Sequence, residues 1–175
     1  KFAVRKIHKY LSFFISVQLL LWTVSGIYFA FNKIELVRGE QYRLINFSDI
    51  NLGEIDFDIP KTSNLEIKKR LDKTILILSS DSGSSYLNSD GTALDKISTE
   101  MAMLLVQQNT TLTPIEAEEI TSSKKGSEYR GRTLPLMKVI SKNEKDKLIN
   151  VYLNVYSGEV TAIRSMQWKI WDLMW

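Results

Sequence analysis

The chain carries one imidazole, His8, and no cysteine, so the residue types that most often do chemistry are nearly absent. A hydroxyl nucleophile needs a base beside it. No histidine follows position 8, which removes the Ser–His–Asp arrangement from the rest of the chain. Without cysteine there is no thiolate zinc site, no disulfide framework and no thiol nucleophile. A lone histidine is a weak metal signal. The nearest approach to paired acids for acid–base work is the group Glu116, Glu118 and Glu119. It follows Thr113-Pro114, where Thr113 fits a helix N-cap, Pro114 the first helical position and Glu116 the reciprocal capping-box position. The positive end of a helix dipole accounts for those acids without catalysis. No glycine-rich phosphate loop is present. The chemistry that remains is binding, and no cofactor is expected from the residues themselves.

What would position any such chemistry is the stretch Tyr10 to Phe31, twenty-two residues without a charge. A bilayer core about 30 Å thick needs roughly 20 apolar residues in an α-helix, so this run is long enough to span one. Lys1, Arg5, Lys6 and Lys9 precede it with no acid among them, which places the N-terminus in the cytoplasm and the rest of the chain on the far side. Phe29-Ala30-Phe31-Asn32 puts bulky residues where a signal peptidase needs small ones, so an uncleaved anchor is expected. Within the span, Gln18, Ser25 and Gly26 are the residues for helix packing: an amide, a hydroxyl and a small residue that favour close contact with a neighbouring helix. Setting the four flanking cations aside leaves 19 basic against 20 acidic residues. The exported part is therefore close to neutral, and no basic patch for nucleic acid is expected.

About 140 residues follow the anchor, enough for one compact domain or two small ones. Gln41 to Phe47 alternates and predicts a short first strand, while Asn64 to Leu71 supports only a short helix or turn. Lys73–Ser79 and Ser84–Asn88 flank Asp81-Ser82-Gly83 and predict a hairpin. Ser98 or Thr99 caps a helix running to about Gln108, with Met101, Ala102, Leu104 and Leu105 on its apolar side. The capping box then predicts a second helix from Thr113 to about Ser123. Strands are expected at Glu128–Leu134, Leu136–Ser141 and Leu148–Tyr156, the last with a strict period of two. Ser157-Gly158 turns into a closing strand at Glu159–Ile163. The unit around 73–108 weakly echoes the hairpin at 148–163. Trp168, Trp171 and Trp175 recur at helical spacing and predict an interfacial helix that opens a second span, so the chain reads as part of a longer protein.

Arg5-Lys6-Ile7-His8-Lys9-Tyr10-Leu11 before a long apolar helix resembles the PepSY-associated transmembrane family, and Phe31-Asn32-Lys33 leading to Val37-Arg38-Gly39-Glu40 is similar in style. The exported part resembles PepSY domains in Thr113-Pro114, Glu128-Tyr129-Arg130-Gly131-Arg132 with Leu134-Pro135, Val151-Tyr152-Leu153-Asn154 and Ser157-Gly158-Glu159-Val160. The resemblance implies an α+β fold: a transmembrane helix, then a periplasmic domain of helices on antiparallel sheet. Its divisions would be 1–32 for flank and span, 33–110 and 111–164 for two small PepSY-like units, and 165–175 for the start of a second membrane helix. A domain without a catalytic constellation, on an anchor with helix-packing residues, leads to the expectation of a non-catalytic accessory or docking role with membrane-protein partner subunits in the bacterial inner membrane. Two other expectations come with the resemblance. One is electron transfer as in siderophore-iron reductases, with haem b and His8 as an axial ligand, although a bis-histidine haem needs a second histidine that this chain lacks. The other is regulation of a periplasmic protease.

Overall fold

The structure, a computed structural model, describes residues 2–46, 48–61, 64–81 and 83–174. Lys1 of the basic flank, Phe47 of the first expected strand, Ser82 of the expected hairpin turn and Trp175 of the tryptophan set lie outside the described residues. The uncharged run and its basic flank form one continuous helix, α1 (Phe2–Phe31), long and apolar enough to cross a membrane. Three of its hydroxyls are satisfied locally. Ser16 donates to the Ser12 carbonyl, Thr23 to Leu19 and Ser25 to Trp22 at 2.8 to 3.1 Å, which lets them sit in an apolar helix without an unpaired hydroxyl. A single turn, α2 (Ile34–Val37), and a 3₁₀ turn at Glu40–Tyr42 then lead into the domain.

The domain is α+β, as its sequence predicts, with two antiparallel sheets. β1 (Asn64–Arg70), β2 (Lys73–Ser80) and β3 (Gly83–Asn88) form the first. After α3 (Thr99–Asn109) come β4 (Thr113–Ile120), β5 (Leu136–Lys142), β6 (Leu148–Asn154) and β7 (Val160–Arg164), a four-stranded meander. The helix α4 (Met166–Met174) closes the described chain. The Ser98 hydroxyl accepts from the Met101 amide at 3.2 Å and starts α3 as expected. Replacing Ser98 with alanine strands that amide, and thermal unfolding should register a loss of about 1 kcal/mol.

α3 packs on the second sheet. Ala102, Leu105 and Val106 meet Met137, Val139, Val151 and Leu153 in one core, the arrangement expected of a helix that must bury one stripe against a sheet. Leu104, expected on that stripe, is 54% exposed, and Val106 takes its place. α3 thus belongs by packing with β4–β7, across the 110/111 division. On β6 the period of two holds for Ile149, Val151 and Leu153. Its other face is amphipathic: Tyr152 is buried with Tyr129, Leu136 and Ala162, while Asn150 and Asn154 are half-buried. The first sheet joins the second through Arg70, whose guanidinium donates to the carbonyls of Asp95 and Tyr156 at 2.8 Å each. Tyr86 stacks on Tyr156 with ring centres 5.1 Å apart.

Four local expectations fail. Thr113–Ile120 is a strand, not a capped helix: seven of its residues, Thr113 and Pro114 before the bulge and Glu116 to Ile120 after it, pair with β5. Lys138 meets Glu118 at 2.7 Å across that pairing. β4 lies at the sheet edge, where Pro114 removes no needed donor and a bulge next to it absorbs the irregular pattern. Ladder pairing overrides a local capping signal whose worth is about 1 kcal/mol. Asn64–Arg70 is likewise a strand, all seven residues matched to β2. Glu128–Leu134 is a succession of turns, and the described residues 41–46 supply only part of the 3₁₀ turn and one bridge, Arg43 to Thr110.

Candidate functional site

β7 alternates, so Ile163 points to the α3 side while Ala162 and Arg164 share the opposite face with Tyr152 and Asn150, their neighbours on β6. That face carries a polar network centred on Glu128. Its carboxylate accepts from the Asn150 amide at 2.8 Å, the Tyr152 hydroxyl at 3.0 Å and the Lys169 ammonium at 2.8 Å. Burial alone would raise the Glu128 pKa, but these three hydrogen bonds outweigh it and hold the carboxyl below its ordinary value. Burial and the neighbouring carboxylate push the Tyr152 hydroxyl up, so it stays a donor.

Beside this network opens a cleft of about 740 Å³. One wall is the segment leaving α1, with Arg38, Glu40 and Arg43. β7 gives Arg164, the turns after Glu128 give Arg130 and Arg132, and α4 gives Trp168, Trp171 and Asp172. The chain has seven arginines and sixteen lysines. Five of the arginines line this one cleft, and none of the lysines does. Guanidinium offers a planar fork of donors suited to two oxygens of a phosphate or carboxylate, which an ammonium does not.

The internal accounting leaves positive charge over. Arg43 Nε is 3.1 Å from Glu40 Oε2, outside hydrogen-bond angle, and its Nη1 donates to the Val160 carbonyl at 2.9 Å. Arg130 is paired with Asp172. Arg164 has no carboxylate partner. It donates to the carbonyls of Glu128 at 3.2 Å and Ile163 at 2.9 Å, and its guanidinium lies 4.6 Å from the centre of the Trp168 ring. Burial, and then the charge of Arg132, pull its pKa down. The Arg38 and Arg132 side chains are exposed and have neither a hydrogen-bond nor an ion-pair partner among the described residues. The arrangement can hold an anion with two or more acceptor oxygens. No group of three His, Asp or Glu side chains that could hold a metal occurs among the described residues.

The residues singled out from sequence fall in three places. His8 is exposed on α1 with the Ser12 hydroxyl 3.4 Å from Nδ1. Gln18 and Gly26 are exposed further along that helix, Ser25 is half-buried, and nothing lies within 4 Å of where a Gly26 Cβ would stand. Trp171 packs on the α1 end, 4.4 Å from the Phe29 ring centre and 6.0 Å from Tyr28, while Trp168 turns to Arg164. The structure brings two tryptophans into the arginine cleft and leaves His8 and Gln18 remote from it. Sequence reading missed the arginines as a set, because they are spread from 38 to 164 with no local spacing to mark them. The chain matches no protein-family model, no curated protein and no solved structure.

Proposed function

We propose that the chain is a non-catalytic, PepSY-type accessory or docking subunit of a membrane complex in the bacterial inner membrane. In this reading α1 is an uncleaved anchor, its N-terminus is cytoplasmic and the domain stands in the periplasm. The observation that carries the reading is α1 itself: thirty residues, none of them buried by the chain's own fold. Such a helix needs lipid or partner helices to cover it. Gln18 and Ser25 are seven residues apart, so about 20° separates them around the axis, and they mark one side for contact. Gly26, with open space beside it, lets a neighbouring backbone approach.

Extraction of the intact protein from native membranes in mild detergent, followed by native mass measurement, tests this. A species heavier than the 20.2 kDa chain, with a second polypeptide in fixed ratio, is expected. A monodisperse single chain overturns the reading. Gln18→Leu should loosen the association about threefold, since an interhelical hydrogen bond in a membrane averages about 0.6 kcal/mol. A stoichiometric b-type band in the reduced-minus-oxidised spectrum of the same sample would replace docking with electron transfer.

A further inference from the structure

We infer that the arginine cleft is a binding site for the phosphate headgroup of an anionic phospholipid, on the side of the bilayer where α1 ends. The inference rests on α1 being a membrane anchor and adds a ligand for the domain that α1 carries. Three observations converge on it.

The first is charge. Five guanidinium groups face two carboxylates in the cleft, and those two are taken up by Arg43 and Arg130. Arg38 and Arg132 stand free at the surface, and Arg164 is fixed by two carbonyls and an indole face. A phosphate diester bears one negative charge and two unesterified oxygens, which suits a fork of guanidinium donors.

The second is level. The cleft wall begins at Ile34, two residues beyond the helical turn that Asn32 closes by donating to the Tyr28 carbonyl. α4 is held at the same height: Gln167 donates to Asn32 at 2.8 Å and the Trp171 ring lies on Phe29. If α1 spans the bilayer, Trp168 and Trp171 lie at headgroup depth, where indoles are favoured. The arginines then stand at the level of the lipid phosphates.

The third is composition. Lysines dominate the cations of this chain, yet the cleft uses arginine alone. Long-range attraction to an anionic surface needs only charge, and lysine would serve. An all-arginine lining points instead to a defined pair of oxygens. A soluble phosphate ion offers the same oxygens, but the tryptophans and the adjoining apolar helix favour a headgroup whose acyl chains lie along α1.

The test uses the full chain in mild detergent. Phosphatidylglycerol, phosphatidylcholine and inorganic phosphate are titrated in separate arms, with bound adducts read by native mass spectrometry. Saturable one-to-one retention of phosphatidylglycerol is expected, with little phosphatidylcholine. Arg38→Gln combined with Arg132→Gln should weaken it about tenfold. Both side chains are exposed and unpartnered, so the variant should keep the wild-type melting temperature. Arg132→Lys should also weaken retention, because the charge survives and the fork does not. Equal retention of the two lipids, or of phosphatidylglycerol by wild type and double variant, overturns the proposal. Competition by inorganic phosphate at equal concentration overturns the lipid as source and leaves an adventitious anion only. Carbonate extraction of membranes is run alongside. Release of the chain there overturns the anchor reading, whereas a retained chain without lipid preference overturns the cleft alone.

Discussion

Gly39→Ala is expected to destabilise the domain by about 3 kcal/mol, from about 1–2 kcal/mol for a left-handed backbone and a further 1–3 kcal/mol for overpacking. Gly39 links α2 to the 3₁₀ turn with φ of 80°, a conformation that a Cβ disfavours. An alanine Cβ would stand 2.6 Å from Ile163 Cγ2 and 2.7 Å from its Cβ. Ile163 cannot retreat, because it is fully buried in the α3 core. Urea unfolding should show a lower midpoint with the slope unchanged. In an Ile163→Ala background the same glycine substitution should cost less, since the Cγ2 clash is gone while the 2.7 Å approach to Cβ and the backbone term remain. A loss below about 1 kcal/mol in the wild-type background would mean that the segment is not seated as described.

Glu128→Ala is expected to cost about 2–4 kcal/mol, because it strands the buried Tyr152 hydroxyl and the Asn150 amide and frees Lys169 of α4. Tyr152 is 2% exposed, so water cannot replace the lost acceptor without opening the loop above it. Glu128→Gln should lose less, since it keeps one acceptor. The pH dependence has a definite direction. The folded pKa lies below the ordinary carboxylate value of 4.5, so the contribution is complete above that pH and is lost as pH falls through the folded pKa. Acid unfolding of wild type should therefore show a limb below pH 4.5 that Glu128→Gln flattens. An unchanged acid limb in that variant would remove Glu128 as its source.

The parts of the fold legible in advance are those whose signal is both local and reinforced by burial. The alternation of Ile149, Val151 and Leu153 reports a face that truly packs on α3, and Ser98 caps the helix that follows it. β4 misleads for the opposite reason. Thr113-Pro114-Ile115-Glu116 is a good helix start in isolation, but its partner β5 begins only at Leu136, and that pairing decides its state. β1 is hard to read because its charged residues are used rather than solvated: Lys68 reaches Glu66 at 2.9 Å and Glu159 at 2.7 Å, and Arg70 ties the two sheets together. The arginine cleft has no local signature. Arg38, Arg130, Arg132 and Arg164 meet only after the chain has folded, and the sole hint in the sequence is that a lysine-rich chain keeps so few arginines.

The clasp between the end of α1 and α4 has a bearing on the order of assembly. Gln167 and Asn32 are 135 residues apart, so their contact closes nearly the whole chain into one loop. Closing so long a loop is entropically costly until the intervening strands have shortened it, which places this contact late in folding. Contacts made late and by few residues are also among the first to open. The cleft draws one wall from each side of the clasp, so it exists only once the last step is complete. An anion held there would bind the finished domain and no earlier species, and would shift the equilibrium toward it by mass action.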